Sequence, residues 1–65
     1  MRVLVNGEAR EVSAATLETA LLELGYRESI VATAVNGEFV AANARSNASL
    51  ADGDRIEILA PMQGG

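Results

Sequence analysis

The chain has 65 residues, with no cysteine, no histidine and no lysine, and five arginines against nine acidic residues give a net charge of −4. That composition excludes disulfides, thiolate zinc sites and thiol or imidazole catalysis, and an acidic chain with two aromatics, Tyr26 and Phe39, lacks both the basic stripe and the stacking platform of a nucleic-acid binder. No run nears the roughly 18 apolar residues of a membrane span.

The first apolar stretch breaks at Asn6, too early for a signal peptide. A small cytoplasmic domain without enzymatic groups of its own, acted upon by others, is therefore the expectation. Val, Ile, Leu and Phe make up about a quarter of the chain, above the roughly 20% below which a charged chain stays disordered. A domain this short buries only about 60% of its unfolded surface, so its core is small.

Arg2 to Val12 reads as a β-hairpin. Val3 and Val5 share a face at period two, and Asn6-Gly7 suits the positive φ angles of a type I′ turn. Val12 returns an apolar side chain to the core face. The spacing then predicts a helix over 17–24: Thr16 is placed to cap it, Glu18 complements its positive end, and Leu17, Leu21 and Leu24 form one stripe beside Ala20. Gly25 follows as the terminator, and the stripe reads as core packing against a sheet.

Ile30 to Val35 reads as a buried strand, with Val31, Thr33 and Val35 alternating with Ala32 and Ala34. Asn36-Gly37 turns the chain into a short strand over 38–40. A hairpin, a crossover helix and a strand, in that order, lead to the expectation that the new strand returns beside the first hairpin and lies parallel to its first strand. Val-Asn-Gly-Glu occurs at 5–8 and again at 35–38 with no wider match around it, so these are two independent turns.

Residues 41–49 are small and polar and read as a surface connection whose far end Leu50 pins to the core. Asp52-Gly53-Asp54 reads as a turn; the further ligand positions of a calcium loop are missing. Residues 55–60 form the last strand, with Ile56 and Ile58 inward and Glu57 outward. Ile58 and Leu59 are its last core side chains, and Pro61, without an amide donor, ends the ladder. The folded domain is therefore expected over 1–60 and a flexible tail over 61–65.

That tail is Pro61-Met62-Gln63-Gly64-Gly65. At about 3.3–3.6 Å per extended residue it reaches roughly 17 Å, enough to thread a partner's active site while the body stays outside. Two glycines carry no Cβ, so the chain passes a narrow channel and the last carbonyl is unhindered. The carboxylate of Gly65 is a poor electrophile until activated, for instance as an acyl-adenylate open to sulfur. Met62, the one large apolar residue of the tail, either docks in a pocket of an activating enzyme or folds back on the body.

The opening Val-Asn-Gly-Glu hairpin, the central Ala-Val-Asn-Gly-Glu at 34–38, Leu-Ala-Asp-Gly-Asp-Arg-Ile-Glu-Ile at 50–58 and the Pro-Met-Gln-Gly-Gly terminus together span almost the whole chain. In these features the sequence resembles the β-grasp sulfur carriers of the ubiquitin-like superfamily, and among them most the ThiS family of thiamine biosynthesis. The resemblance implies an α+β fold: one β-grasp domain, a mixed sheet of four to five strands on one main helix.

It also implies a carrier rather than an enzyme. A ThiF-like activating enzyme uses ATP to adenylate Gly65, and the chain itself binds no cofactor and no metal. A sulfur donor system such as a cysteine desulfurase converts the adenylate to a thiocarboxylate. Thiazole synthase then receives the sulfur. Pro61, Met62, Gln63 and Gly64 are the implied partner-binding residues. One segment departs from the family pattern: Val40-Ala41-Ala42-Asn43 stands where members carry a Val-Pro-Arg-like start and often an aromatic, so no partner contact is carried over to it. Four other readings stay open at this stage: the small subunit of molybdopterin synthase, a carrier for tRNA thiolation, a ubiquitin-like tag attached through Gly65 to target lysines, and a plain β-grasp interaction domain with an inert end.

Overall fold

Both Asn-Gly pairs form the turns expected of them. Asn6 and Gly7 have φ of 51° and 85°, and Asn36 and Gly37 have 52° and 86°. Consecutive positive angles are those of a type I′ turn, whose twist matches the strands it joins. The first turn links β1 (Arg2–Val5) to β2 (Glu8–Glu11), and the second links β3 (Ala32–Val35) to β4 (Glu38–Val40). The computed structural model describes residues 1–26 and 30–60.

Helix α1 (Leu17–Glu23) starts where its cap was expected. The Thr16 hydroxyl accepts from the Thr19 amide at 3.3 Å, and Leu24 forms the opposite cap. Gly25 follows at φ 98°. Leu17, Ala20 and Leu21 are buried, and Leu24 packs against them. The Glu23 carboxylate ties the far end of the helix to the connection between β2 and α1, accepting from the amides of Ser13 (2.9 Å) and Ala14 (3.1 Å).

The last strand, β5 (Arg55–Leu59), occupies the middle of a five-stranded sheet in the order β2-β1-β5-β3-β4. This overturns the expected pairing of β1 with β3. The strand parallel to β1 is β5, with Leu4 opposite Arg55 and Val5 opposite Ile56. β3 lies on the other side of β5 and runs antiparallel to it, Thr33 opposite Ile58 and Val35 opposite Ile56. The physical reason is burial. A central strand is flanked on both sides, and β5 brings Ile56 and Ile58, which are 0% and 5% exposed. β3 offers Thr33 and a half-buried Val35 to the same face.

The core lies between the sheet and α1, from Val3, Val5, Val12, Leu17, Ala20, Leu21, Leu50, Ile56 and Ile58. Two apolar residues expected there are elsewhere. Ile30 precedes β3 and is 83% exposed, and Leu59 is 71% exposed. Register explains both: with Thr33 and Ile58 paired on the helix side, residues of the parity of Ala32 and Leu59 belong to the opposite face.

The stretch over 41–49 is not a plain connection. Ala42–Asn47 forms a 3₁₀ helix, and Arg45 fastens it to the sheet. Its Nε donates to the Thr33 hydroxyl at 3.0 Å, and a terminal nitrogen donates to the Val31 carbonyl at 2.7 Å. The chain then closes on the start of α1, where the Leu17 amide donates to Ala48 and the Leu50 amide to Ala15. Leu50 is buried, as expected.

Candidate functional site: the root of the tail and the open sheet face

Every residue singled out in the tail, Pro61, Met62, Gln63, Gly64 and Gly65, lies outside the described residues. What the structure supplies is the root from which that segment departs. β5 delivers the chain to Ala60 from the centre of the sheet, between β1 and β3. Its alternation is strict: Ile56 and Ile58 point into the core, while Arg55, Glu57 and Leu59 stand on the face away from α1.

That second face has no helix over it among the described residues. Leu4, Ala32, Ala34, Phe39 and Leu59 line a depression of about 580 Å³ there, with Arg55 and Glu57 supplying its charge. The pairings Ala34–Phe39 and Ala32–Leu59 set the apolar side chains in neighbouring rows. Phe39 is 73% exposed. Beside it, Ile30, Ala32, Leu59 and Ala60 line a smaller depression that reaches the root of the tail. Large exposed apolar side chains gathered on one face mark an interaction surface rather than ordinary surface composition.

Sequence reasoning placed the chemistry at Gly65 and missed this face. A signal was available: with Ile56 and Ile58 inward, Leu59 had to point outward, so an apolar residue at that parity, next to a Gly-Gly tail, pointed to an apolar patch on the face away from the helix.

The polar groups of the body do structural work. The Asp54 carboxyl titrates below the ordinary aspartate range because the Asn36 carboxamide donates to it, helped by the Ala51 amide. Arg2 of β1 and Glu11 of the edge strand β2 pair at 3.5 Å, both side chains exposed. Among the described residues no group of three or more metal-ligating side chains converges, and no helix is long and apolar enough to cross a membrane.

A mixed five-stranded sheet, one main helix on a single face and a C-terminal strand in the centre define a β-grasp, ubiquitin-like domain. Residues 3–65 match the ThiS family, and the chain belongs to that family. It is 38% identical over 63 residues to the sulfur carrier protein ThiS of Thermus thermophilus, covering 97% of this chain and 98% of that one. It is also 39% identical over 66 residues to a thiazole synthase of Paramagnetospirillum magneticum; all of this chain is matched, but it spans only 20% of that relative's length. The crystal structure of the thiamine biosynthesis protein ThiS from Geobacter metallireducens superposes with a TM-score of 0.82 at 30% identity, covering all of both chains. The solution structure of a thiamine biosynthesis protein from the same organism gives 0.80 at 30% identity and covers 88% of that chain.

Proposed function

We infer that the chain is a sulfur carrier of thiamine biosynthesis, with Gly65 as the residue that carries the sulfur. The observation that carries this reading is the reach of the family likeness: it runs over residues 3–65, through both terminal glycines and not only through the folded body. Thiamine, rather than molybdopterin or tRNA thiolation, is favoured by the full-length likeness to a ThiS carrier and by the thiazole synthase that contains a segment like this chain.

The reaction proceeds at the carboxylate. An oxygen of Gly65 attacks the α-phosphorus of ATP on a ThiF-like adenylating enzyme, and pyrophosphate leaves. The outer sulfur of a persulfide from a donor system such as a cysteine desulfurase then attacks the acyl carbon, and AMP leaves, so that Gly65 is joined to the donor through an acyl disulfide. A second thiol of the donor system cleaves that S–S bond, the two donor sulfurs end as a disulfide, and the thiocarboxylate is released for thiazole synthase. The chain has no cysteine, histidine or lysine to assist, so its contribution is presentation. The open face around Phe39 and Leu59 seats the body on a partner, and Pro61 to Gly64, with Met62 as the apolar contact, lead Gly65 to the reacting centre. ATP belongs to the activating partner, and the carrier holds no cofactor.

The test follows the carboxyl group. Incubated with its activating enzyme, ATP and a sulfur source, the protein gains the mass of one oxygen-to-sulfur exchange and becomes labelled by a thiol-selective alkylating agent. With no cysteine in the chain, any label reports the thiocarboxylate. Intact mass of the protein as made in its own cell checks that Gly65 is terminal. Recovery of only Gly65-to-lysine conjugates on other proteins, with no alkylatable species, would show a tag instead of a carrier.

A further inference from the structure

The two Val-Asn-Gly-Glu turns do more than reverse the chain: each asparagine side chain grips β5, one from either side. Asn36 holds the beginning of the strand. Its Oδ1 accepts from the Arg55 amide at 3.0 Å, and its Nδ2 donates to Asp54 at 3.0 Å. Asn6 holds the end. The Ile58 amide donates to Asn6 Oδ1 at 2.8 Å, and Asn6 Nδ2 donates to the Ile58 carbonyl at 3.1 Å.

The position of the second grip matters because of where β1 stops. Backbone bonds from β1 to β5 run from Leu4 to Asp54 and from Asn6 to Ile56, and the register ends at Val5 opposite Ile56. β1 then turns away, leaving a strand edge open at Ile58. The Asn6 carboxamide fills that place with one donor and one acceptor, the pair a neighbouring strand residue would offer. On the other edge, β3 pairs as far as Leu59. Asn6 is therefore what keeps the last residues of β5 held on both sides, two residues before Ala60.

We propose that Asn6 is a positioning residue for the chemistry at Gly65: its carboxamide, acting through Ile58, fixes the end of β5 from which the tail departs. This rests on the reading of Gly65 as the sulfur-carrying residue. Without the grip, the end of β5 is held by β3 alone, and Leu59 and Ala60 gain freedom at the point where the chain leaves the sheet. Small errors at the root of a tail that must place one carboxylate at a reacting centre translate into large losses of rate. The likeness between the two turns supplies the control, since Asn36 makes the same kind of grip at the far end of the same strand.

The experiment compares the wild-type chain with Asn6→Gly and Asn36→Gly, glycine keeping the positive φ of each turn while deleting the carboxamide. Adenylation by the purified activating enzyme is followed by pyrophosphate release, at a temperature where melts show all three folded. Asn6 borders the open face, but the variant leaves the apolar side chains of Phe39 and Leu59 in place, so Asn6→Gly is expected to lower kcat about tenfold with KM within about twofold. Asn36→Gly stays within about twofold in both. Relaxation of the Ala60 amide, measured by nuclear magnetic resonance without any partner, increases in mobility for Asn6→Gly only. Equal kcat for the two variants, or an Ala60 amide unchanged in Asn6→Gly, overturns the proposal. A wild-type chain that is not adenylated refutes the reading of Gly65 instead, and the Ala60 amide then decides alone whether Asn6 holds the strand end.

Discussion

Replacing Arg45 by methionine should destabilise the domain far more than an arginine on a surface segment would suggest. The guanidinium makes two hydrogen bonds, 3.0 Å to the Thr33 hydroxyl and 2.7 Å to the Val31 carbonyl. Thr33 is 2% exposed, and its own proton goes to the Val40 carbonyl at 2.8 Å, so its remaining acceptor capacity faces Arg45. Bonds from a charged donor contribute about 1.5–3 kcal/mol each when buried. Arg45 is half-buried, and water recovers part of the loss, so about 2 kcal/mol in total is expected for Arg45→Met. A domain of this size has only about 3–10 kcal/mol to lose, and each kcal/mol moves its Tm by about 4–8 °C. Thermal unfolding at pH 7 should therefore fall by about 8–16 °C. Arg45→Lys keeps the charge but not the planar fork and should lose about half as much. If Arg45→Met melts within about 2 °C of wild type, the 3₁₀ helix is not anchored through this side chain and the account of the 41–49 segment is wrong.

Other outcomes follow from the same contacts. Replacing Ile56, fully buried in the core on the central strand, by valine should cost about 0.5–1.5 kcal/mol, read from denaturant midpoints; no change would place the core elsewhere. Leu59→Asp and Phe39→Asp, on exposed side chains, should leave stability within about 0.5 kcal/mol while lowering binding to the activating enzyme at least about tenfold, by titration calorimetry; unaltered binding removes the open face from the docking surface. Asp54 has its folded pKa depressed, so its stabilisation is complete above the unfolded value of about pH 4 and is lost as pH falls through the folded one. The Tm gap between wild type and Asp54→Asn should accordingly close in acid, and a gap that persists to low pH contradicts the assignment. Deleting Gly64-Gly65 should leave the melt unchanged and abolish thiocarboxylate formation, whereas a large drop in Tm would make the tail structural.

Much of this protein is readable locally. The two Asn-Gly turns, the Thr16 cap, the leucine stripe of α1 and the inward isoleucines of β5 depend on residues close together in the chain, and each lies where local chemistry puts it. The Gly-Gly segment is a candidate site on local grounds too, its lack of side chains and its carboxylate, and it lies outside the described residues.

Strand order was not legible. Period-two alternation tells which side chains share a face but not which strand lies beside which, so β3 was expected next to β1, where the tertiary structure puts β5. Once β5 is central, parity alone sends Leu59 and Ile30 to the open face and makes that face apolar next to the tail. Two side chains acquired their roles the same way. Arg45 and Asn6 are unremarkable polar residues in sequence; only the arrival of β3 beneath one, and of Ile58 beside the other, gives each a buried partner to hold. Hydrogen bonds between groups fifty residues apart, as between Asn6 and Ile58, are decided by how the whole sheet packs, and no local pattern encodes them.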